Sequence, residues 1–574
     1  MSEGKKTALV TGASGGIGRA AALKFAAAGY DLYSLPVFFA GKAISATAGV
    51  RPFGPGIFDG ETPDYSSFDA NVRAVLAVSP GAYVLPRVNV SLPDRWLAAH
   101  PDCLDATGKH ESLFSEQAMV RAGTLLRAFL SHVQKSDYAD RVIGYHLAGG
   151  CTEEWFHFDM DSPDVCKAAK QGFRRYLAQT RPEQAELPPP DFAALGTPGP
   201  RHGAEATALF LEYTSAAVVS YITHLAGITK KAAPGAAVGV FYGYTLEVTS
   251  SRYGTHALSK LLQCPDIDFI SSPNSYIGVR DPAADWTEMY PAASVRLHGK
   301  LCVQECDVRT HLTRPLSQCA PAYDPAGALT APIWQPLPDK NAAVQQIRKS
   351  FCRQLIGGNG FWWFDMWGGW YADDALMAEM ALYRQICAAA LQKKNRAGVS
   401  ELAVFTDERA YYELADCPLR GCAHEQRRAL GLTGAPYDAY DISDFAAVYQ
   451  NYKAVLFITG IETSGLRTAR ALCEKTNVPY LCNSERQPTF GTEVLRAFLR
   501  QSGVHIYCET DDILYVNENH IALHAVEAGV KTLRFRTAVA LAPLLGGKPA
   551  CRGSTVKIPM EKNETALFEI RTER

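Results

Sequence analysis

Short apolar runs alternate with longer helical patterns through the first two thirds of the chain. Eight of these runs are rich in β-branched and aromatic residues, have the length of strands and end in turn residues. They are residues 7–12, 31–38, 82–89, 141–148, 237–243, 268–273, 300–305 and 360–365. Strands that alternate with helices are typical of a parallel sheet built from βα units. Eight units predict a (β/α)₈ TIM barrel with long insertions, and a doubly wound sheet is the alternative.

A second and smaller α/β pattern follows the polar segment KKNRAG near residue 395. The runs ELAVFTDE, AVLFITG, VPYLCN and VHIYCE alternate with helical patterns, which predicts a small parallel unit over residues 396–520. From residue 521 the polar and apolar positions alternate as in short antiparallel strands. We therefore expect three parts: a barrel over 1–395, an α/β domain over 396–520 and a small β domain over 521–574.

Length and charge restrict the partners of the protein. A chain of 574 residues is longer than a domain with a single hydrophobic core usually is, which predicts several domains. Lys plus Arg number 57 against 59 Asp plus Glu, so the charge favours neither a nucleic acid nor a membrane as a partner. The segment MSEGKK is followed by no apolar leader, and no later stretch of about 18 apolar residues occurs, which predicts a cytoplasmic protein.

The fifteen cysteines are scattered without a CxxC pair. In a cytoplasmic chain of this size we expect them to be reduced and mostly buried. Cys302 with Cys306, and Cys417 with Cys422, are spaced more widely than the paired ligands of a tetrahedral zinc site. We therefore predict no metal.

Residues 7–18, TALVTGASGGIG, combine a strand, a glycine-rich turn and the start of a helix. Gly12, Gly16 and Gly18 would let the backbone approach a pyrophosphate, and residues 1–24 resemble the short-chain dehydrogenases/reductases. Such a reductase also needs a Tyr-xxx-Lys pair, which occurs here only at Tyr449 and Lys453, far too late in the chain. We therefore expect this unit to supply the first strand and helix of the barrel, without a nucleotide or any other cofactor.

Polar and aromatic residues collect at the carboxyl ends of the predicted strands. They are Arg87 and Asn89 after the third strand, His146, Glu153 and Glu154 after the fourth, Asn274, Tyr276 and Arg280 after the sixth, Glu305 after the seventh, and Trp362, Trp363 and Asp365 after the eighth. In a TIM barrel these ends meet at the face that carries the catalytic loops. The sequence therefore predicts one active-site mouth.

Carboxyl groups after the fourth and seventh strands suit the cleavage of a glycosidic bond. One group must be protonated to assist the leaving oxygen, and the other ionised to attack the sugar carbon. For a retaining mechanism they should lie about 5 Å apart. Arg87 could orient the nucleophile, and a Trp of the eighth strand could pack on a sugar ring or simply belong to the core.

Several segments resemble the catalytic barrel of clan A glycoside hydrolases, above all the family 42 β-galactosidases. The resemblance runs from about residue 25 to beyond residue 520 and rests on PFGPGIFDGETPDYSSFD, AYVLPRVNVSLPDRW, GYHLAGGCTEEWFHFD and QECDVRTHL. It implies Glu154 as acid/base and Glu305 as nucleophile. It also implies a flavodoxin-like second domain that takes part in a trimer or dimer. We expect the sugar to contact Arg87, Asn89, His146, Glu153, Tyr276 and Trp363.

One departure from the family pattern concerns the pair Glu153 and Glu154. The family has Asn where this chain has Glu153, which leaves open which of the two carboxyls is the acid. We favour Glu154, because it precedes the aromatic Trp155. Neighbouring residues of a strand point in opposite directions, so only one of the two should face the sugar. Were both near the mouth, their repulsion would raise one pKa.

The sequence therefore predicts a retaining β-glycosidase that acts on terminal β-galactosides and needs no cofactor. A β-glucuronide, β-glucoside or α-L-arabinoside is the alternative substrate, and Arg280 or Arg309 near the mouth would favour an acidic sugar. From other classes, the glycine-rich turn favours an NAD(P)-dependent oxidoreductase, and a carbohydrate-binding barrel without activity is a further alternative.

Overall fold

The computed structural model describes residues 9–11, 31–41, 56–150, 153–157, 163–187, 190, 205–319, 321, 324, 326–365, 368–393, 398–414 and 419–572. The predicted glycine-rich turn and the helix after it lie outside these residues.

Eight parallel strands form a closed barrel, which confirms the predicted fold class. They are β1 (Leu9–Thr11), β2 (Leu32–Phe38), β3 (Tyr83–Asn89), β4 (Gly144–Gly150), β6 (Ala237–Val240), β7 (Phe269–Pro273), β8 (Leu301–Cys306) and β9 (Gly360–Phe364). Each strand pairs in parallel with the next, and β9 pairs back to β1. A short strand, β5 (Glu154–Phe156), runs along the end of β4 and has no counterpart in the predicted set. All the predicted carboxyl ends therefore meet at one face.

The first strand of the barrel lies within residues 1–24. Leu9 pairs with Leu32 of β2 on one side and with Trp362 of β9 on the other. The three residues of β1 fill the gap between β2 and β9, so neither of these two strands has an unpaired edge there.

Helices surround the barrel and connect the smaller domains. The α-helices among the described residues are α1 (Ser66–Val78), α2 (Asp94–Ala99), α3 (Glu116–Gln134), α4 (Lys167–Thr180), α5 (Glu205–Ala232), α6 (Leu258–Leu262), α7 (Ala292–Leu297), α8 (Leu316–Cys319), α9 (Lys340–Gly357), α10 (Asp374–Leu391), α11 (Glu408–Glu413), α12 (Gln426–Gly431), α13 (Phe445–Val448), α14 (Ser464–Thr476) and α15 (Thr492–Gln501). Local signals set their ends. The Asp339 side chain accepts the Ala342 amide at the start of α9, and Gly358 ends that helix at a φ of 68°.

Alternate residues of each barrel strand face inwards and outwards. Outward apolar side chains such as Val84 and Leu147 pack with the helices in the main core. Inward side chains such as Leu85 and Phe269 fill a second cluster inside the barrel. Gly239 leaves room for this filling, since a Cβ there would lie 1.9 Å from the Phe269 ring. The barrel is therefore a packed core, with its chemistry at the carboxyl ends.

The second domain is a parallel α/β unit, as predicted, but one of its strands differs. Its strands β10 (Leu402–Thr406), β11 (Tyr437–Asp441), β12 (Ala454–Phe457) and β13 (Tyr480–Cys482) lie in the order β11-β10-β12-β13. The predicted strand VHIYCE is wrong, because residues 504–509 form no strand. β11 was missed because it is an edge strand of sequence YDAYD, whose polar residues weaken the apolar pattern.

The chain ends in a five-stranded antiparallel sheet. Its strands are β14 (Ile513–Val516), β15 (His520–His524), β16 (Gly529–Pro543), β17 (Cys551–Met560) and β18 (Thr565–Thr572), in the order β14-β15-β18-β16-β17. Because β14 pairs with β15, this sheet includes residues on the α/β side of residue 520. Within the described part of the chain, no helix has the length and apolar character needed to cross a bilayer.

Candidate active site

Arg87 joins carboxylates from opposite sides of the barrel mouth. It lies on an inward position of β3, and its Nη1 donates to Oε2 of Glu305 at the end of β8 over 2.8 Å. Its Nη2 lies 2.5 Å from Oε2 of Glu153, just before β5. All three side chains are less than a tenth exposed. The rings of Phe241 and Phe364 flank the guanidinium, with centroids 5.7 and 5.3 Å from it. The carboxyl groups predicted at the ends of the fourth and seventh strands therefore share one buried cation.

Glu154 lies beside the same cluster. The Tyr244 hydroxyl, in the loop after β6, donates to Oε1 of Glu154 over 3.0 Å. Burial and then the charges of Glu154, Tyr276 and Glu305 raise the pKa of Tyr244. The Arg87 charge also interacts with Glu154. Glu154 and Tyr244 therefore form a hydrogen-bonded pair close enough to the charges of Arg87 and Glu305 to be influenced by them.

Both neighbouring glutamates reach the cluster, which corrects the expectation that only one could face the mouth. Glu153 and Trp155 adopt positive φ values of 78° and 69°, so the chain does not follow the simple alternation of a strand. Gly149 and Gly150 make this path possible. A Cβ on Gly149 would lie 2.7 Å from the Trp155 ring, and one on Gly150 would lie 2.4 Å from the carbonyl oxygen of Phe156.

The electrostatics of the cluster follow from burial and from the sharing of Arg87. Burial raises the pKa of Glu305 to about 8, Arg87 opposes the rise, and the carboxylates of Asp307 and Glu153 add to it. Burial also raises the pKa of Glu153, against the opposing effect of Arg87. One guanidinium cannot fully compensate two buried carboxylates, so their ionisation is coupled.

Asp307, two residues beyond Glu305, organises a second set of charges. Its carboxylate contacts the guanidinium groups of Arg280 and Arg309, the latter at 2.8 Å, and is almost fully buried. The Tyr276 hydroxyl donates to its Oδ2 over 3.4 Å, and the Arg280 guanidinium lies 4.5 Å from the centre of the Tyr276 ring. Tyr276 therefore contacts the carboxylate that stands two residues beyond Glu305.

Two other residues predicted to contact sugar have structural partners. Nδ2 of Asn89 donates to the carbonyl of Gly150 over 3.0 Å, and its Oδ1 accepts the Ser91 amide over 3.1 Å. His146 lies inside the barrel, where its Nε2 is 2.5 Å from the Ser271 hydroxyl. Burial, and then the charge of Arg87, hold the pKa of His146 well below its usual range, so the ring is neutral.

Trp363 lies away from the mouth. It is fully buried in the main core, and its ring packs against Phe361, Tyr371 and Tyr383. The alternation along β9 explains this position, since Trp362 faces inwards towards His146 and its neighbour must face the helices. The structure therefore does not place Trp363 with the predicted sugar contacts.

Sequence reasoning missed Tyr244 and Asp307. Tyr244 follows the fifth predicted strand, whose carboxyl end supplied no candidate. Asp307 stands in the segment QECDVR, and its proximity to Glu305 was the available signal.

Neither the cysteines nor the cavity of about 890 Å³ points to a different catalytic site. Cys302 and Cys306 pack in the main core, and Cys417 lies outside the described residues. Across the described ranges, no group of three or more His, Cys, Asp or Glu side chains could hold a metal ion. The cavity lies where the three domains meet and is lined by Leu301 and Gly360 at the amino ends of β8 and β9. That is the end of the barrel opposite to the carboxylates.

Comparison with known proteins relates this geometry to solved structures. No family model matches the chain, and no curated protein is significantly similar to it in sequence. The structure of a β-galactosidase from Bacillus circulans sp. alkalophilus superimposes with a TM-score of 0.65 at 11% identity, covering 99% of this chain and 98% of that one. A β-galactosidase from Halorubrum lacusprofundi gives a TM-score of 0.64 at 12% identity, with 98% of each chain covered.

Other solved structures extend the range of activities found on this fold. An α-L-fucosidase isoenzyme from Paenibacillus thiaminolyticus gives a TM-score of 0.56 at 10% identity over 99% of this chain and all of that one. A β-galactosidase described as a family 42 glycoside hydrolase gives 0.60 at 10% identity, with 99% and 98% covered. Over nearly its whole length, the chain therefore has the fold of the family 42 β-galactosidases.

Proposed function

We propose that the protein is a retaining β-glycosidase that hydrolyses terminal β-galactosides. The observation that carries this proposal is the contact of Arg87 with both Glu305 and Glu153 at the carboxyl-end face of the barrel. It brings carboxyl groups from the ends of β4 and β8 into one mouth, as double displacement at a sugar carbon requires.

The contacts favour different roles for the three glutamates. Arg87 favours the ionised form of Glu305, which suits the nucleophile that attacks the anomeric carbon. The same guanidinium opposes the rise that burial causes in the pKa of Glu153, which makes Glu153 the less suitable proton donor. Glu154 accepts a hydrogen bond from the neutral Tyr244 hydroxyl, which favours its ionised form less than a guanidinium does, so we assign Glu154 as the general acid.

The reaction proceeds in two displacements under this assignment. Glu305 attacks the anomeric carbon while Glu154 gives its proton to the departing oxygen, and a covalent glycosyl-enzyme forms. Glu154 then removes a proton from a water molecule, which attacks the same carbon and frees Glu305. Because each displacement inverts the anomeric carbon, the product keeps the original configuration.

A galactoside is supported by the β-galactosidases that share the fold, and an acidic sugar is disfavoured by the charges at the mouth. Arg280 and Arg309, which could recognise a carboxylate on the sugar, both contact Asp307. Asp307 offsets one of these two charges, and because both guanidinium groups already contact it, a carboxylate on the sugar would have to compete with Asp307. A β-glucoside or an α-L-arabinoside remains the second candidate.

We also expect a homo-oligomer, a trimer or dimer, which light scattering would test.

The test is nitrophenol release from a panel of nitrophenyl glycosides. We expect turnover of the β-galactoside, with galactose first released as the β-anomer in an NMR time course. Release of the α-anomer would contradict the retaining mechanism. Turnover of none of the glycosides, together with tight NADPH binding seen by fluorescence, would favour the oxidoreductase instead.

Replacing the acid should make the rate depend on the leaving group. In Glu154→Gln, cleavage of lactose should fall by at least about a hundredfold more than cleavage of the nitrophenyl galactoside, because nitrophenolate departs without protonation. Glu153→Gln is the matched control and should slow the two substrates by similar factors. If Glu153→Gln shows the selective loss, the acid is Glu153. Steady-state kinetics at several substrate concentrations measures both effects.

The acidic limb of the pH profile should report Glu305. Because burial raises its pKa to about 8, kcat/KM should fall as the pH decreases through that region and the nucleophile becomes protonated. Glu153→Gln removes one of the neighbouring carboxylates that raise this pKa, so the limb should move to lower pH. An unchanged limb would show that Glu153 does not influence the ionisation of the nucleophile.

A further inference from the structure

The loop between β7 and α7, residues 274–291, carries two side chains of the mouth. Tyr276 and Arg280 contact Asp307, which stands two residues beyond Glu305. The loop also contacts the smaller domains. The Tyr515 hydroxyl donates to Oδ1 of Asp285 over 2.7 Å. A loop that forms part of a catalytic mouth is thus fixed from outside the barrel.

The strongest of these contacts comes from Arg427 of the α/β domain. Arg427 belongs to α12, which directly follows a π-helical turn, Arg420–Glu425. The side chain is buried, and all five guanidinium N–H groups have acceptors. These acceptors are the carbonyls of Ala423, Leu246 and Glu288, the Thr287 hydroxyl and the Glu247 carboxylate. Four of the five lie in the barrel loops that follow β6 and β7.

Glu247 carries the contact onward to Tyr276. Its Oε2 lies 3.2 Å from Nη2 of Arg427 and accepts the Ser275 hydroxyl over 2.7 Å. Its Oε1 accepts the backbone N–H of Tyr276 over 2.8 Å. His424, one turn before Arg427, donates from Nε2 to the Glu247 carbonyl over 3.0 Å. Arg427 and His424 therefore hold the residue that fixes the Tyr276 backbone.

We propose that Arg427 is a positioning residue through which the α/β domain forms part of the catalytic unit, holding Tyr276 against Asp307 by way of Glu247. The catalytic part of this inference rests on the proposed glycosidase function. A guanidinium suits the task, because its rigid fork binds the carboxylate, the hydroxyl and two loop carbonyls at once. Without the Arg427 guanidinium, the buried carboxylate of Glu247 would lose a cationic partner, and the loop would lose its main attachment to α12.

The experiment compares Arg427→Gln with Arg496→Gln. Arg496 is an equally buried arginine of the same domain, with the two side chains 3% and 2% exposed. Its partners are the carbonyls of Leu432 and Thr433 and the carboxylates of Glu493 and Asp511, none of which lies in a barrel loop. Both variants should lose stability to a similar extent, so the control separates positioning from general destabilisation.

Hydrogen exchange and kinetics are measured on the full-length proteins. In Arg427→Gln we expect faster amide exchange in peptides covering residues 274–280 and a fall of about 10- to 100-fold in kcat/KM, because small displacements in a site are costly. Arg496→Gln should leave both unchanged at temperatures well below its Tm. Arg427→Lys keeps the charge and should recover part of the activity. Glu247→Gln combined with Arg427→Gln should cost little more than Arg427→Gln alone, since both act on one path.

The possible outcomes separate the inference from the proposed function. Unchanged exchange over residues 274–280 in Arg427→Gln would overturn the inference, whatever the activity. Equal kinetic losses in the Arg427 and Arg496 variants would also overturn it, because they would reduce the effect to stability. If the wild-type protein hydrolyses no glycoside, the proposed function fails, and the exchange comparison still decides whether Arg427 positions Tyr276.

Discussion

Replacing Glu305 with Gln should lower kcat for the nitrophenyl β-galactoside by at least about a thousandfold, or about 4 kcal/mol of activation free energy. The amide keeps the size of the side chain but cannot form the glycosyl-enzyme. The release of nitrophenol by the purified proteins at pH 8.5 measures the fall in kcat. Glu379→Gln is a suitable control, because Glu379 pairs with Arg348 in the outer helix layer and should leave turnover unchanged.

Azide can identify which glutamate is the nucleophile. In Glu305→Gly, azide should enter the space of the carboxylate and displace the leaving group once, which gives the inverted α-glycosyl azide. In Glu154→Gly, the covalent intermediate still forms, so azide should give the β-glycosyl azide after two inversions. If Glu305→Gly gave the β-glycosyl azide and Glu154→Gly the α-glycosyl azide, the roles of the two glutamates would be the reverse of those proposed. Full activity in Glu305→Gln would contradict the proposed mechanism.

Replacing Arg87 with Met should cause the largest loss of stability. Two buried carboxylates, Glu153 and Glu305, would then have lost their shared cation, and removing one partner of a buried ion pair costs about 3–5 kcal/mol. The free energy of unfolding from urea titrations measures the effect. Activity should fall with it, because the unpaired Glu305 would be protonated over more of the pH range.

The loss of stability in Arg87→Met should depend on pH in a defined direction. Burial raises the folded-state pKa of both glutamates above the unfolded value, so their protonated forms favour folding. That contribution is complete below the unfolded pKa and disappears as the pH rises through the folded pKa. Without Arg87 the folded pKa rises further, so the deficit should be larger at pH 9 than at pH 5. Adding Glu305→Gln to Arg87→Met should restore part of the stability, and a purely additive double variant would argue against the shared ion pair.

Much of the architecture could be predicted because strand patterns are local. All eight barrel strands of the structure overlap predicted segments, with bounds that differ by a few residues, and the structure confirms the barrel. β11 was not predicted because YDAYD lies at the edge of the sheet formed by the described strands, where the apolar pattern of a strand is weak. The same reasoning placed Glu305 and Tyr276 at the mouth, because carboxyl ends of parallel strands must meet.

The side-chain partners could not be predicted in this way. Trp363 was placed with the sugar contacts, although the alternation along β9 turns it towards the helices. Glu153 and Glu154 were expected to point apart, yet two positive φ values and the two glycines at the end of β4 bring both to the cluster. These arrangements depend on how close neighbouring segments approach, which no single segment encodes.

The sequence by itself determined the order of the strands and the face of the barrel at which polar and charged residues lie. It could do so because hydrophobic periodicity and strand direction are properties of consecutive residues. Only the tertiary structure decided that Arg87 would be shared between Glu153 and Glu305, and that Arg427 of another domain would reach the loop of Tyr276. Along the chain, Arg87 lies 66 residues from Glu153 and 218 residues from Glu305. Arg427 lies 180 residues from Glu247. Such pairings form because a buried charge must find a partner within the folded interior, and the fold alone sets which partner is in reach.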